Sequence, residues 1–169
     1  MISVPSRTTE RGLLRFGRKA AIRFTWKRLF ARYCQVMSEE IIERLRSGLE
    51  EFNRTGALDS GFLAADVEFR QADSIVDTAG TFVGEDGLRA ALQELQEAFE
   101  DLSFEPEDIF AAGAGDVVVF IRVHGRGRGS GLRLDNQIAW LATVRADKIV
   151  RIAVYEERAD ALAAAGLLE

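Results

Sequence analysis

The chain of 169 residues contains one cysteine, one histidine and two prolines. Cys34 has no partner for an internal disulfide. Nothing therefore requires an oxidising compartment, and a cytoplasmic location is expected. With Cys34 and His124 alone, the common zinc ligand sets are excluded. No loop carries the spaced aspartates of a calcium hand, so no metal site is assigned. No apolar run approaches the ~18 residues that suggest a membrane span.

Positive charge is scarce outside one segment. Residues 1–36 hold nine Lys/Arg against a single acid, Glu10, whereas the remainder holds 13 bases against 26 acids. A domain that acidic excludes nucleic acid as a partner, because phosphate binding needs a basic footprint. The 47% of hydrophobic residues suffices for a real core.

The basic segment reads as an appendage to a domain at 37–169. Arg11, Arg15, Lys19, Arg23 and Lys27 recur every four residues, among Leu13, Phe16, Phe24 and Phe30. Two origins are open. One is an amphipathic helix for an anionic membrane, or a transit segment, since both are Arg-rich and acid-poor. The other is upstream sequence preceding a true start at Met37. Ser38-Glu39-Glu40 follows at once as a helix cap with acids in the first turn.

The rest of the chain is patterned. Ile41, Ile42, Leu45, Leu49 and Phe52 fall at helical spacing, and Asn53-Arg54-Thr55-Gly56 closes that helix. Asp59 is placed to cap a short second helix holding Phe62 and Leu63. Val67 to Arg70 alternates as a strand, and Leu88, Ala91, Leu92, Leu95 and Phe99 mark a longer helix. Three strands follow: Ser103–Ala112, whose Pro106 suits an edge or a bulge, then Val117–Arg126 and Leu134–Arg145. Ala146-Asp147 turns into a last strand, Lys148–Glu157, before a helix ended by Gly166. Helices first and hairpin-linked strands after them predict an α+β domain with helices over one sheet face. The glycine run 125–131 joins two strands and lacks the spacing of a dinucleotide fingerprint, so it reads as a twisted hairpin.

Several segments carry a resemblance. They are Phe52-Asn53-Arg54-Thr55-Gly56-Ala57-Leu58-Asp59, Asp66-Val67-Glu68-Phe69, Gly84-Glu85-Asp86-Gly87-Leu88-Arg89, Thr143 to Val150, and the tail Tyr155 to Leu167. Together they resemble the SnoaL-like branch of the nuclear transport factor 2-like superfamily, which includes ketosteroid isomerase-like and polyketide cyclase-like proteins. The resemblance covers nearly all of residues 38–167. It implies a cone-shaped, curved, mixed or antiparallel sheet wrapped around helices, enclosing a pocket for a small apolar or cyclic molecule. It implies no cofactor. It does not choose among isomerases, cyclases and non-catalytic binders, since fold alone does not fix function.

Two readings of the pocket therefore stand side by side. In the first, a carboxyl deprived of water becomes a proton-transfer base. Asp135 is that candidate, with His124 as its partner and Trp140, Tyr155, Gln137 and Phe69 as pocket lining. The plainer reading has Asp135 as a solvated hairpin residue paired with Arg133 or Arg126, and His124 in a polar stripe with Arg122 and Arg126. Gln137 stands where the cyclase-type relatives carry an acid, two residues beyond Asp135. In the second reading the domain is a binding or dimerisation module. Ile138, Trp140, Ala142 and Val144 lie on one side of their strand and Ala139 and Leu141 on the other, so the outer face needs a second cover, and a homodimer would supply it. The loop acids Asp73 and Asp77 are placed to rim the mouth.

Overall fold

The computed structural model describes residues 39–71, 80–113 and 115–168. The basic head, Met37, Asp73 and Asp77 lie outside the described residues. Helix α1 covers 39–55. It buries Ile41, Leu45, Leu49 and Phe52, the stripe its spacing predicts. Gly56 stops it at φ +70°, with its N–H donating to the Phe52 carbonyl at 2.7 Å.

The expected short helix at Asp59 does not form. The Asp59 carboxylate accepts the Gly61 N–H at 2.9 Å, which closes a turn instead. Phe62 and Leu63 are buried as the chain extends into β1 (Leu63–Arg70). There follow β2 (Thr81–Val83), α2 (Gly84–Ala98), β3 (Phe99–Ala112), β4 (Asp116–Gly127), β5 (Arg133–Arg145), β6 (Lys148–Tyr155) and α3 (Arg158–Ala164).

The six strands form one sheet in the order β2-β1-β6-β5-β4-β3. All neighbours are antiparallel except β1 and β6, which run parallel and join the two ends of the domain. Pro106 lies in the edge strand β3, beside a register shift between Pro106 and Asp108. An edge with a bulge is where a residue without an N–H is tolerated. Ala146 and Asp147, at φ 46° and 64°, make the tight link from β5 to β6.

Strand alternation sorts the sheet into two faces. The inner face holds Val117, Val119, Ile121 and Val123 of β4 and Ile138 and Ala142 of β5, packed with the apolar stripes of α1 and α2. The outer face holds Val118, Phe120, Ala139 and Leu141, packed against Ala161 of α3. The second cover that the outer face requires is therefore supplied within the chain. Asn53 fixes α1 to the sheet by mimicking a strand. Its amide donates to the Phe104 carbonyl and accepts the Phe104 N–H, both at 2.8 Å. No helix among the described residues is long and apolar enough to cross a membrane.

Candidate functional site

Two small hollows lie between the helices and the inner face. The first is lined by Phe69 and Gln71 at the end of β1, Leu92 and Leu95 of α2, Phe104 of β3, and Asn136, Ile138 and Trp140 of β5, among others. The second lies under α1, between Leu45, Leu49, Phe52, Phe62 and Leu88. Phe69, Leu92, Phe104 and Trp140 border both, so these four side chains form the partition. The rings of Phe104 and Trp140 stand 6.1 Å apart, and Phe52 meets Phe104 edge-on at 5.4 Å.

The hollows leave about 40 and 50 Å³ for the centre of a water molecule. At ~15 Å³ per water, each has room for roughly three. Their lining is apolar apart from Gln71, Asn136 and the indole of Trp140. No ionisable side chain lines either one among the described residues. Gln71 is itself buried, while the exposed Asn136 marks the way out to solvent. The indole Nε1 of Trp140 is buried and has no hydrogen-bond partner.

Of the residues singled out from the sequence, Trp140 and Phe69 line the hollows. Gln137 and Tyr155 do not, which corrects the expectation that they would. In β5 the even-numbered residues from Leu134 to Val144 face the helices, and the odd-numbered ones face outward. Gln137 is thus on the outer side, donating to the Glu107 carboxylate at 3.1 Å. Tyr155 pairs with Ala139 and packs in the outer cluster with α3.

Asp135 and His124 are also on the outer face, directly opposite each other in the β4–β5 ladder. His124 Nδ1 lies 3.6 Å from Asp135 Oδ1, and its Nε2 lies 3.5 Å from Glu105 Oε2. The sequence offered Arg133 or Arg126 as partners for Asp135. The structure pairs it instead with Arg122, the diagonal neighbour on β4, at 2.7 and 3.1 Å. That bidentate contact holds the Asp135 carboxyl below its ordinary value, opposed by slight burial and helped by the Arg122 and His124 charges. Asp135 and His124 border an open groove of about 260 Å³ with Asp101, Arg126 and Arg133. Leu134 borders both this groove and the first hollow.

Gln71, Phe104 and Asn136 escaped notice in the sequence. A signal existed for Asn136, which shares the parity of Ile138 and Trp140 along β5. Nothing local marks Gln71, because it follows the last residue of a strand.

A family model for the SnoaL-like domain matches residues 42–152. No curated protein matches the chain. Among solved structures, a nuclear transport factor 2-like protein from Burkholderia xenovorans LB400 superposes with a TM-score of 0.56 at 26% identity, covering 76% of this chain and 95% of that one. Bal32a, from a soil-derived mobile gene cassette, gives 0.63 at 15% identity, covering 74% and 95%. A protein with a ketosteroid isomerase-like fold from Catenulispora acidiphila, solved in complex with trimethylamine, gives 0.51 at 19% identity, covering 64% and 80%. These likenesses establish an α+β cone fold.

Proposed function

This chain belongs to the SnoaL-like domain family, and we propose that its task is to hold a small, uncharged, largely apolar molecule in the hollow between sheet and helices. The observation that carries this reading is the lining. Two adjoining apolar hollows meet at a partition of Phe69, Leu92, Phe104 and Trp140, without an ionisable group among the described residues. A guest gains by leaving water for such a surface, and a charged guest would lose its hydration with nothing in return.

Proton transfer by Asp135 and His124 has less support. A base for a water-excluded pocket needs a carboxyl whose pKa is raised by burial. Asp135 is exposed, lies across the sheet from the hollows, and is shifted in the opposite direction by Arg122. Pairing of two copies through the outer face also has less support. The apolar part of that face is covered by α3, and Arg122, His124, Asp135 and Glu107 occupy much of the rest.

Calorimetric titration with dichloromethane and with xenon-saturated buffer, probes on the scale of hollows of about 40 and 50 Å³, tests the binding reading. Saturable binding of at least one is expected, with a rise in melting temperature by linkage. Val154→Phe should fill the first hollow and abolish the heat while the fold survives at a cost of about 1–3 kcal/mol. If neither probe binds nor shifts the melting temperature, the reading fails. Should turnover of a cyclic ketone be found, Asp135→Asn is expected to leave it intact.

A further inference from the structure

We infer that Gln71 selects what the first hollow holds, its carboxamide taking up a single hydroxyl, so the preferred guest is a short-chain aliphatic alcohol. This rests on the binding reading above and extends it from shape to chemistry.

Gln71 is the one buried polar or charged residue among the described residues, at 6% exposure. It lines the first hollow and not the second. Strand alternation sets its direction. Val67 and Phe69 of β1 belong to the inner cluster, and Gln71 is the next residue of that parity. The pairing with β2 runs one residue beyond the strand, since the Gln71 N–H donates to the Gly80 carbonyl at 3.2 Å. The backbone donor is thus used, and the side chain keeps to the face of Phe69. Among the described residues Gln93, Gln96 and Gln137 donate their amides to Glu97, the Gly56 carbonyl and Glu107, whereas the Gln71 carboxamide makes no hydrogen bond. A buried amide without a partner is costly, and one in a folded protein asks for an explanation. Asn136 lines the same hollow but is exposed, so bulk water serves its amide.

The chemistry of the guest follows from this amide and the room around it. The hollow has space for roughly three water-sized groups, so the guest has about three heavy atoms. A carboxamide offers an acceptor oxygen and two N–H donors. A hydroxyl donates and accepts through one atom, and so meets both ends of the amide. A carbonyl or ether would leave the Gln71 oxygen unmet, and a hydrocarbon would leave the whole amide unmet. A carboxylate or phosphate would need a counter-charge, and the lining supplies none among the described residues. Water satisfies the amide as an alcohol does. The alcohol adds hydrocarbon that gains by contact with Phe69, Leu92 and Leu95. A site built to hydrogen-bond a guest discriminates against the analogue that lacks the group, because the buried amide is then left unpaired.

The test compares ethanol with chloroethane, in which chlorine replaces the hydroxyl and the heavy-atom count is kept. Binding to the full chain is followed in nitrogen–proton correlation spectra. Gln71→Met, which keeps the length of the side chain and removes the amide, should weaken ethanol roughly tenfold. Its affinity for chloroethane should stay within about threefold, the size of a small packing change. A second measurement needs no variant: the Gln71 side-chain amide protons should move downfield with ethanol and not with chloroethane. Gln71→Met affecting both probes equally, or neither, would overturn the assignment and leave the hollow standing. An ethanol affinity that falls in Asn136→Ser and not in Gln71→Met would place the hydroxyl at Asn136 and overturn it too. Failure of ethanol and chloroethane to bind, with xenon still bound, would sink this inference alone. Failure of xenon and dichloromethane as well would remove the hollow reading with it.

Discussion

Parity along β5 decides which residues can meet. Trp140 is even and faces the helices; Asp135 and Gln137 are odd and face outward. One base and one lining residue from a single strand cannot share a pocket if an odd number of positions separates them. That much is legible in the sequence, because Ile138, Trp140 and Ala142 alternate with Ala139 and Leu141. What is not legible is the ladder register that hands Asp135 to Arg122. The exposed pair makes a prediction about pH. The folded-state pKa of Asp135 is depressed, so its stabilisation is present above the unfolded value of about 3.9 and is lost as pH falls through the folded value. Asp135→Asn should therefore lower the urea midpoint at neutral pH and match the parent in strong acid. The gap should be small and should shrink with added salt, since both side chains are exposed. A gap that stays constant from neutral to strong acid would refute the pairing. A second residue carries backbone strain. Ala146 sits at φ 46° in a two-residue turn, where a side chain costs energy and glycine does not. Ala146→Gly should raise stability by about 0.5–1 kcal/mol in denaturant unfolding. A loss would mean that the turn does not hold this conformation in solution.

At the scale of elements, the strands and the two longer helices were readable from periodicity, and the edge role of β3 from Pro106. The turn at Asp59 is not legible in the sequence, because Asp serves a helix cap and an Asx turn equally well and only the next hydrogen bond separates them. The role of α3 was hidden for another reason. Its seven residues bury little besides Ala161, so no strong stripe announces which surface it covers. Its attachment depends on Arg158, whose guanidinium lies 4.5 Å from the ring centre of Phe120 and pairs with Glu107 of β3. Removing residues 156–169 should uncover Phe120, Ala139 and Leu141 together. The truncated protein is expected to melt earlier, bind a hydrophobic dye more strongly and shift toward larger species in light scattering than the full chain at equal concentration. Arg158→Ala should show the same changes in weaker form. Unchanged dye binding and size after truncation would mean that α3 does not cover that face.

The folded domain as a whole is closed by the contact that sequence reading is least able to see. β3, β4, β5 and β6 follow one another as antiparallel neighbours, but β1 joins the sheet by lying parallel to β6. Across this seam Arg151 donates to Glu68, 83 positions away, and Ile149 donates its N–H to the Phe62 carbonyl at 2.9 Å. Parallel pairing across such a separation leaves no local turn signal, and its loop entropy must be met before any contact rewards it. The hairpins, whose partners are close in sequence, are therefore expected to form first and the seam last. Ile149 is fully buried at the seam and pairs with Leu63, so Ile149→Ala should cost about 2–5 kcal/mol through the lost methyl groups and the void they leave. Contacts made after the transition state appear in the unfolding rate. Chevron analysis of Ile149→Ala should show unfolding faster by roughly thirtyfold or more, with folding nearly unchanged. Ala146→Gly, in the local β5–β6 turn, should act mainly on the folding rate. If Ile149→Ala instead slows folding by most of its equilibrium cost, the seam belongs to the nucleus. The hollow would then be framed before the hairpins are in place.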